Sequence, residues 1–126
     1  MKKVVSWQLP IKTASESNSS EHWTKKAKRH RMQKNRIKQE FCISKPNVPL
    51  PCHVYLTRIA PRSLDEGDNL PNSMKYVRDA ISECLTNTTL AGRADGDERI
   101  KWNYSQEKGK AREYAVRIEI QEIDNA

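Results

Sequence analysis

Two short segments carry most of the chemistry this sequence could perform: Leu64-Asp65-Glu66-Gly67-Asp68-Asn69-Leu70 and Ala94-Asp95-Gly96-Asp97-Glu98. Carboxylate oxygens are the ligands that Mg²⁺ and Mn²⁺ prefer, and two or three suffice where a phosphate and water complete the shell. Asp, Glu, Gly and Asn are also the ordinary residues of exposed turns, so either segment taken singly is uninformative. Neither has the twelve-residue ligand alternation of an EF-hand Ca²⁺ loop. What sets them apart is their background, a chain of formal net charge +7. Acids on a surface that meets a polyanion cost binding energy unless a cation neutralises them.

The basic residues are not spread evenly. Residues 25–38 contain eight Lys or Arg together with His30 and no acidic residue, and Ala27, Met32 and Ile37 are too sparse for a wide apolar stripe. The pattern predicts a helix with one narrow inward edge and a broad cationic surface. On it Lys25, Lys26, Lys28, Arg29, Arg31 and Lys34 are the candidates for phosphate contacts, which gain affinity by releasing condensed counterions. The plain alternative is a solvated helix whose charge only aids solubility. The nearby acidic segments tip the balance toward nucleic acid.

The elements that must position these groups are legible as patterns. Val4, Val5, Trp7 and Leu9, ended by Pro10, suit a first strand. Five Ser or Thr and one Asn within residues 13–20 form a loop, with Ser19 or Ser20 able to cap a helix from about Glu21 to about Phe41. Three prolines in residues 44–51 make a linker. Residues 53–59 alternate as a strand, and Met74, Val77, Ile81 and Cys84 or Leu85 recur at helical spacing after a possible Ser73 cap. Ile100, Trp102 and Tyr104 alternate with Lys101 and Asn103. Tyr114, Val116, Ile118 and Ile120 then form the cleanest strand pattern, expected to pair with its predecessor as a hairpin. Residues 1–126 thus read as a single α+β domain, a small mixed β-sheet with flanking helices in the order strand, helix, strand, helix, strand, strand. The first acidic segment follows a strand and the second precedes one, so the sheet could bring both to one end.

Other function classes lack their signatures. Cys42, Cys52 and Cys84 form no CxxC pair, and His22, His30 and His53 have neither zinc-finger spacing nor a recognisable nucleophile partner. No apolar run is long enough to span a bilayer, and no signal-type h-region follows the first residues, so a reducing cytoplasm is expected. Trp102, Tyr104 and Tyr114 are expected in the sheet core or a dimer contact rather than as base-stacking platforms.

The segments Leu64-Asp65-Glu66-Gly67-Asp68-Asn69-Leu70, Lys75-Tyr76-Val77-Arg78-Asp79-Ala80-Ile81 and Asp95-Gly96-Asp97-Glu98-Arg99-Ile100, in that order, resemble the RusA family of Holliday-junction resolvases. That family has an acid-x-Asp-Asn-Leu motif, then a helical Lys with Asp four residues later, then an acidic pair before the next strand. The resemblance runs from about His53 to Ile120. It implies a Mg²⁺- or Mn²⁺-dependent crossover junction endodeoxyribonuclease that acts as a homodimer on branched DNA in recombination and repair. Residue by residue it implies Glu66, Asp68 and Asp97 as metal ligands, with Asp65 able to replace Glu66 and Asp95 to assist Asp97. Lys75 is implied as the catalytic lysine beside Asp68 and Asp97. The chain departs from the family in having Glu66 for the first Asp and three extra residues between Leu70 and Lys75. The rival expectation is a non-catalytic nucleic-acid-binding accessory protein of the same fold. A third is an assembly protein whose charge is incidental.

Overall fold

A computed structural model of the chain describes residues 3–14, 22–64, 67, 69–86 and 97–123. It is an α+β fold with the elements β1 (Val4–Leu9), α1 (Trp23–Ser44), β2 (Cys52–Ala60), α2 (Asn69–Ser73), α3 (Lys75–Thr86), β3 (Ile100–Lys108) and β4 (Ala115–Glu122). The strands form one mixed sheet in the order β1-β4-β2-β3. β4 runs antiparallel to both β1 and β2, whereas β3 is parallel to β2.

Alternation decides which face is covered. Val5, Trp7 and Leu9 share a face with Val116, Ile118 and Ile120, with Cys52, Val54 and Leu56, and with Ile100, Trp102 and Tyr104. α1 and α3 lie over this face. Ile37, Met74, Val77, Ala80 and Ile81 complete the core, with Trp7, Phe41, Trp102 and Tyr104 packed partly buried around it. The opposite face holds polar residues: His53 bonds Asn103, Thr57 bonds Ser105 at 2.8 Å, and Arg117 reaches Glu107 at 2.6 Å and Gln8 at 3.2 Å.

The expected hairpin between the last two strands is not formed, because β2 lies between them. β2 is the strand most buried on both faces, and Ile59 and Ala60 are covered at its end. A strand buried on both sides needs neighbours on both edges. β3 takes one edge and β4 the other, so residues 109–114 must cross the end of β2 rather than form a tight turn. Gly109 makes the crossing possible. Its N–H donates to the Ala60 carbonyl at 2.8 Å, and a Cβ there would stand 2.8 Å from Glu113 Oε1 and 3.1 Å from Ile59 Cγ2.

Helix limits differ from the sequence expectation in informative ways. α1 begins at Trp23 with His22 as its cap, Nδ1 accepting from the Thr24 N–H at 3.3 Å. Ser19 and Ser20, the expected caps, lie outside the described residues. α1 runs on to Ser44 and ends where Lys45 turns left-handed at φ 45°, its N–H bonding the Phe41 carbonyl. The single helix expected from Ser73 is two helices that meet at Met74. Ser73 does not cap the second. Its hydroxyl bonds back to the Leu70 carbonyl at 2.7 Å, while the Met74 N–H takes the Pro71 carbonyl. Among the described residues no helix is long and apolar enough to cross a membrane.

Candidate metal and nucleic-acid site

Asp97 occupies the turn that delivers the chain into β3. Its Oδ1 accepts from the Arg99 N–H at 2.9 Å and from Arg99 Nε at 3.0 Å, and its Oδ2 accepts from Arg99 Nη2 at 2.6 Å. These bonds to the ionised form hold the carboxyl down to about 2. The turn is fixed to the sheet where Cys52 N–H donates to the Arg99 carbonyl at 2.9 Å. Burial, with a smaller contribution from the Asp97 charge, pushes the Cys52 thiol up to about 11. Cys52 is therefore a neutral core residue rather than a metal thiolate.

Asp97 is the one expected metal ligand among the described residues. Asp65, Glu66, Asp68 and Asp95 lie outside them, and among the described residues no three His, Cys, Asp or Glu side chains gather as a metal set. Asp97 fits a metal ligand in charge state and in position before a strand. To serve as one it must exchange its grip on Arg99 for a cation.

The expectation that the two acidic segments leave the same end of the sheet is not met at the strand ends. The parallel register runs from Cys52↔Ile100 to Ala60↔Lys108. The chain thus leaves β2 about 26 Å, eight strand steps, from where it enters β3. It then doubles back. Leu64 exchanges both backbone bonds with the Gln106 side chain, at 2.9 and 2.7 Å, and α2 packs on β3. One turn into α3, Arg78 donates to the Tyr104 hydroxyl at 2.9 Å with its guanidinium 4.7 Å from the Trp102 ring. The return path along β3, not the strand end, carries the motif toward the Asp97 end.

Lys75 is the first residue of α3 and is exposed, its Nζ 5.6 Å from the centre of the Tyr76 ring. Tyr76 stacks on His30 of α1, ring centres 3.6 Å apart and planes 18° from parallel. This contact joins the cationic helix to the lysine of the motif.

α1 divides into two halves with different uses of charge. In its second half Lys34 and Lys38 pair with Glu83 of α3, at 3.8 and 2.9 Å, and Arg36 pairs with Glu40 at 3.2 Å. Lys34, expected at the nucleic-acid surface, is thus turned toward α3. In the first half Lys25, Lys28 and Arg31 are exposed and Lys26 and Arg29 half-buried, and no ion pair forms at Lys25, Lys26, Lys28 or Arg31 among the described residues.

Sequence reasoning overlooked three residues that shape this region. Arg78 bridges α3 to β3, and His30 supplies the inter-helix stack. Arg58, only 6% exposed, donates to Thr13 Oγ1 at 3.0 Å and to the Arg62 carbonyl at 2.7 Å, fixing both ends of the surrounding loops. The signal for Arg58 was its phase, since it falls in the inward series Val54, Leu56, Arg58, Ala60. Trp102 and Tyr104 pack against the core as expected, and Tyr114 is half-buried under Lys12. No protein-family model matches the chain, and no curated protein does.

Proposed function

We propose that this chain is a metal-dependent endonuclease of branched DNA, similar in kind to RusA-type resolvases, with Asp68, Asp97 and Glu66 as metal ligands and Lys75 beside them. The observation that carries the reading is the linkage of the motif helix to a half-helix of uncompensated cations. Lys75 begins α3, Tyr76 stacks on His30, and Lys25, Lys26, Lys28 and Arg31 extend from there without acidic partners. Charges that structure does not consume remain for phosphate, and the motif lysine stands beside them.

A bound Mg²⁺ or Mn²⁺ would supply a polarised phosphate and a water of lowered pKa. The chain's own residues supply the rest. Asp97 is ionised throughout the physiological range, α1 orients the phosphate backbone, and Lys75 presents a compact positive charge near the scissile group.

One observation favours the non-catalytic reading: Asp97 is bound on both oxygens by Arg99. The two readings separate in one experiment. Purified protein is incubated with end-labelled four-way junction, with and without Mg²⁺ or Mn²⁺, beside Asp68→Asn and Asp97→Asn. The proposal expects metal-dependent, symmetric nicks from the wild type and loss of cleavage in each variant with junction binding intact or tighter, since a repulsive charge has been removed. A metal-independent gel shift without nicks would mean that the chain binds junctions only.

A further inference from the structure

We infer that the β1 edge of the sheet is a self-association surface, on which a second copy pairs β1 with β1 antiparallel to make one continuous eight-stranded sheet. The inference does not rest on the nuclease reading.

The first ground is the hydrogen-bonding pattern. Glu122 N–H donates to the Lys3 carbonyl at 2.9 Å, and Val4 opposes Gln121 in the register. Bonded pairs alternate along an antiparallel ladder, so Val5, Trp7 and Leu9 bond to β4 while Val4, Ser6 and Gln8 turn their N–H and C=O groups outward. No described residue takes up those groups. An unpaired row of this kind is a template for another strand unless it is guarded.

The second ground is that the two edges are treated differently. β3, the other edge, carries Lys101, Glu107 and Lys108 and is bordered by the Leu64–Gln106 bonds and by α2. β1 reads Val-Val-Ser-Trp-Gln-Leu, with no charge and no proline. Two copies can approach there without like-charge repulsion.

The third ground is where the exposed apolar side chains lie. Of the four large exposed hydrophobics among the described residues, Val4 is on β1 and Met32 and Ile43 are on α1. Lys34 and Lys38 mark the flank of α1 that faces α3. At 100° per residue Met32 and Ile43 fall on the opposite flank, toward the β1 edge. The level along the helix is also fixed. Trp7 meets Phe41 with ring centres 5.3 Å apart, and one strand step equals about two helix residues, so Ser6 lies level with Ile43. A two-fold axis through Ser6 would therefore set Ser6 against Ser6 of the second copy, Val4 against its Gln8, and Ile43 against its Ile43. Strand pairing and apolar contact call for the same axis.

The test uses the full chain in sedimentation equilibrium and thiol cross-linking. The wild type is expected at twice 14.6 kDa. With the exposed Cys42 changed to Ser, Ser6→Cys should form a covalent dimer on mild oxidation. Opposed Cα atoms in a bonded antiparallel pair stand about 5.5 Å apart, within disulfide reach. Val4→Cys in the same background should not, because it would face Gln8. Ile43→Lys, at a side chain 69% exposed and thus dispensable for the fold, should weaken self-association about tenfold while leaving the circular dichroism spectrum unchanged. A monomeric wild type would overturn the inference. So would a dimer that Ser6→Cys fails to trap or that Ile43→Lys leaves intact. Junction cleavage is scored separately, so loss of one reading is distinguishable from loss of the other.

Discussion

At the scale of single residues, Asp97 is where charge and function meet. Arg99 bonds stabilise its ionised form, so its pKa lies below the ordinary carboxylate value of 3.8. A depressed acid stabilises the fold above its unfolded pKa and loses that contribution as pH falls through its folded one. The Asp97–Arg99 contribution should therefore be complete above about pH 4 and disappear toward pH 2. Arg99→Gln should flatten the acid limb of a thermal-stability profile over that window. The same variant frees Asp97 for a cation, and Mn²⁺ titration calorimetry should show several-fold tighter binding. Unchanged affinity would remove Asp97 from the ligand set. Arg58 offers a purely structural contrast. Arg58→Ala leaves Thr13 Oγ1 and the Arg62 carbonyl without their donor and opens a void, a loss of about 2–4 kcal/mol in denaturant unfolding. Arg58→Met, which keeps most of the stem, should lose less.

At the scale of elements, α1 does two jobs along one length. Its second half is fastened to α3 through Glu83, a pair of partly exposed bridges that together contribute about 1 kcal/mol. Glu83→Gln should cost about that much stability with little effect on DNA affinity. Neutralising Lys25, Lys26, Lys28 and Arg29 together should do the reverse. It should leave the melting temperature nearly unchanged and lower the slope of log affinity against log salt by about 3 to 4, close to one unit per phosphate contact. Lys34→Gln, by contrast, should change that slope little, because its ammonium faces Glu83. If all five positions prove equivalent, the division of the helix into an anchoring half and a binding half is wrong.

At the scale of the whole molecule, the sheet order governs what can meet. Because β3 lies parallel to β2, the acidic segments start from opposite ends of the sheet, and the chain must return along β3 before the motif helix begins. The crossing of residues 109–114 over β2 is the matching constraint on the other side. Gly109→Ala would press a methyl against Ile59 and Glu113, with an expected cost of about 1 kcal/mol in unfolding experiments. The arrangement also leaves one sheet edge guarded and the other bare, which is the basis for the paired eight-stranded sheet.

The sequence by itself determined the kinds and places of the elements, because alternation in β2 and β4 and the 3.6-residue recurrence in α3 are local properties of apolar burial. The acidic segments, Lys75 and the cationic run were equally legible, as residue types at fixed spacing. Strand adjacency was not. β3 and β4 are neighbours in sequence with strand patterns on both sides of a Gly, yet local pattern carries no information about a third strand entering between them, and burial of β2 on both faces decided it. Nor could spacing tell which lysines of α1 are free. Lys28 and Lys34 look alike in the sequence, and only the approach of Glu83 from a helix some fifty residues away gives one a partner and leaves the other to solvent. Pairing across the chain is a property of the fold, since an ion pair or a ladder bond exists only where tertiary packing brings its two halves within reach.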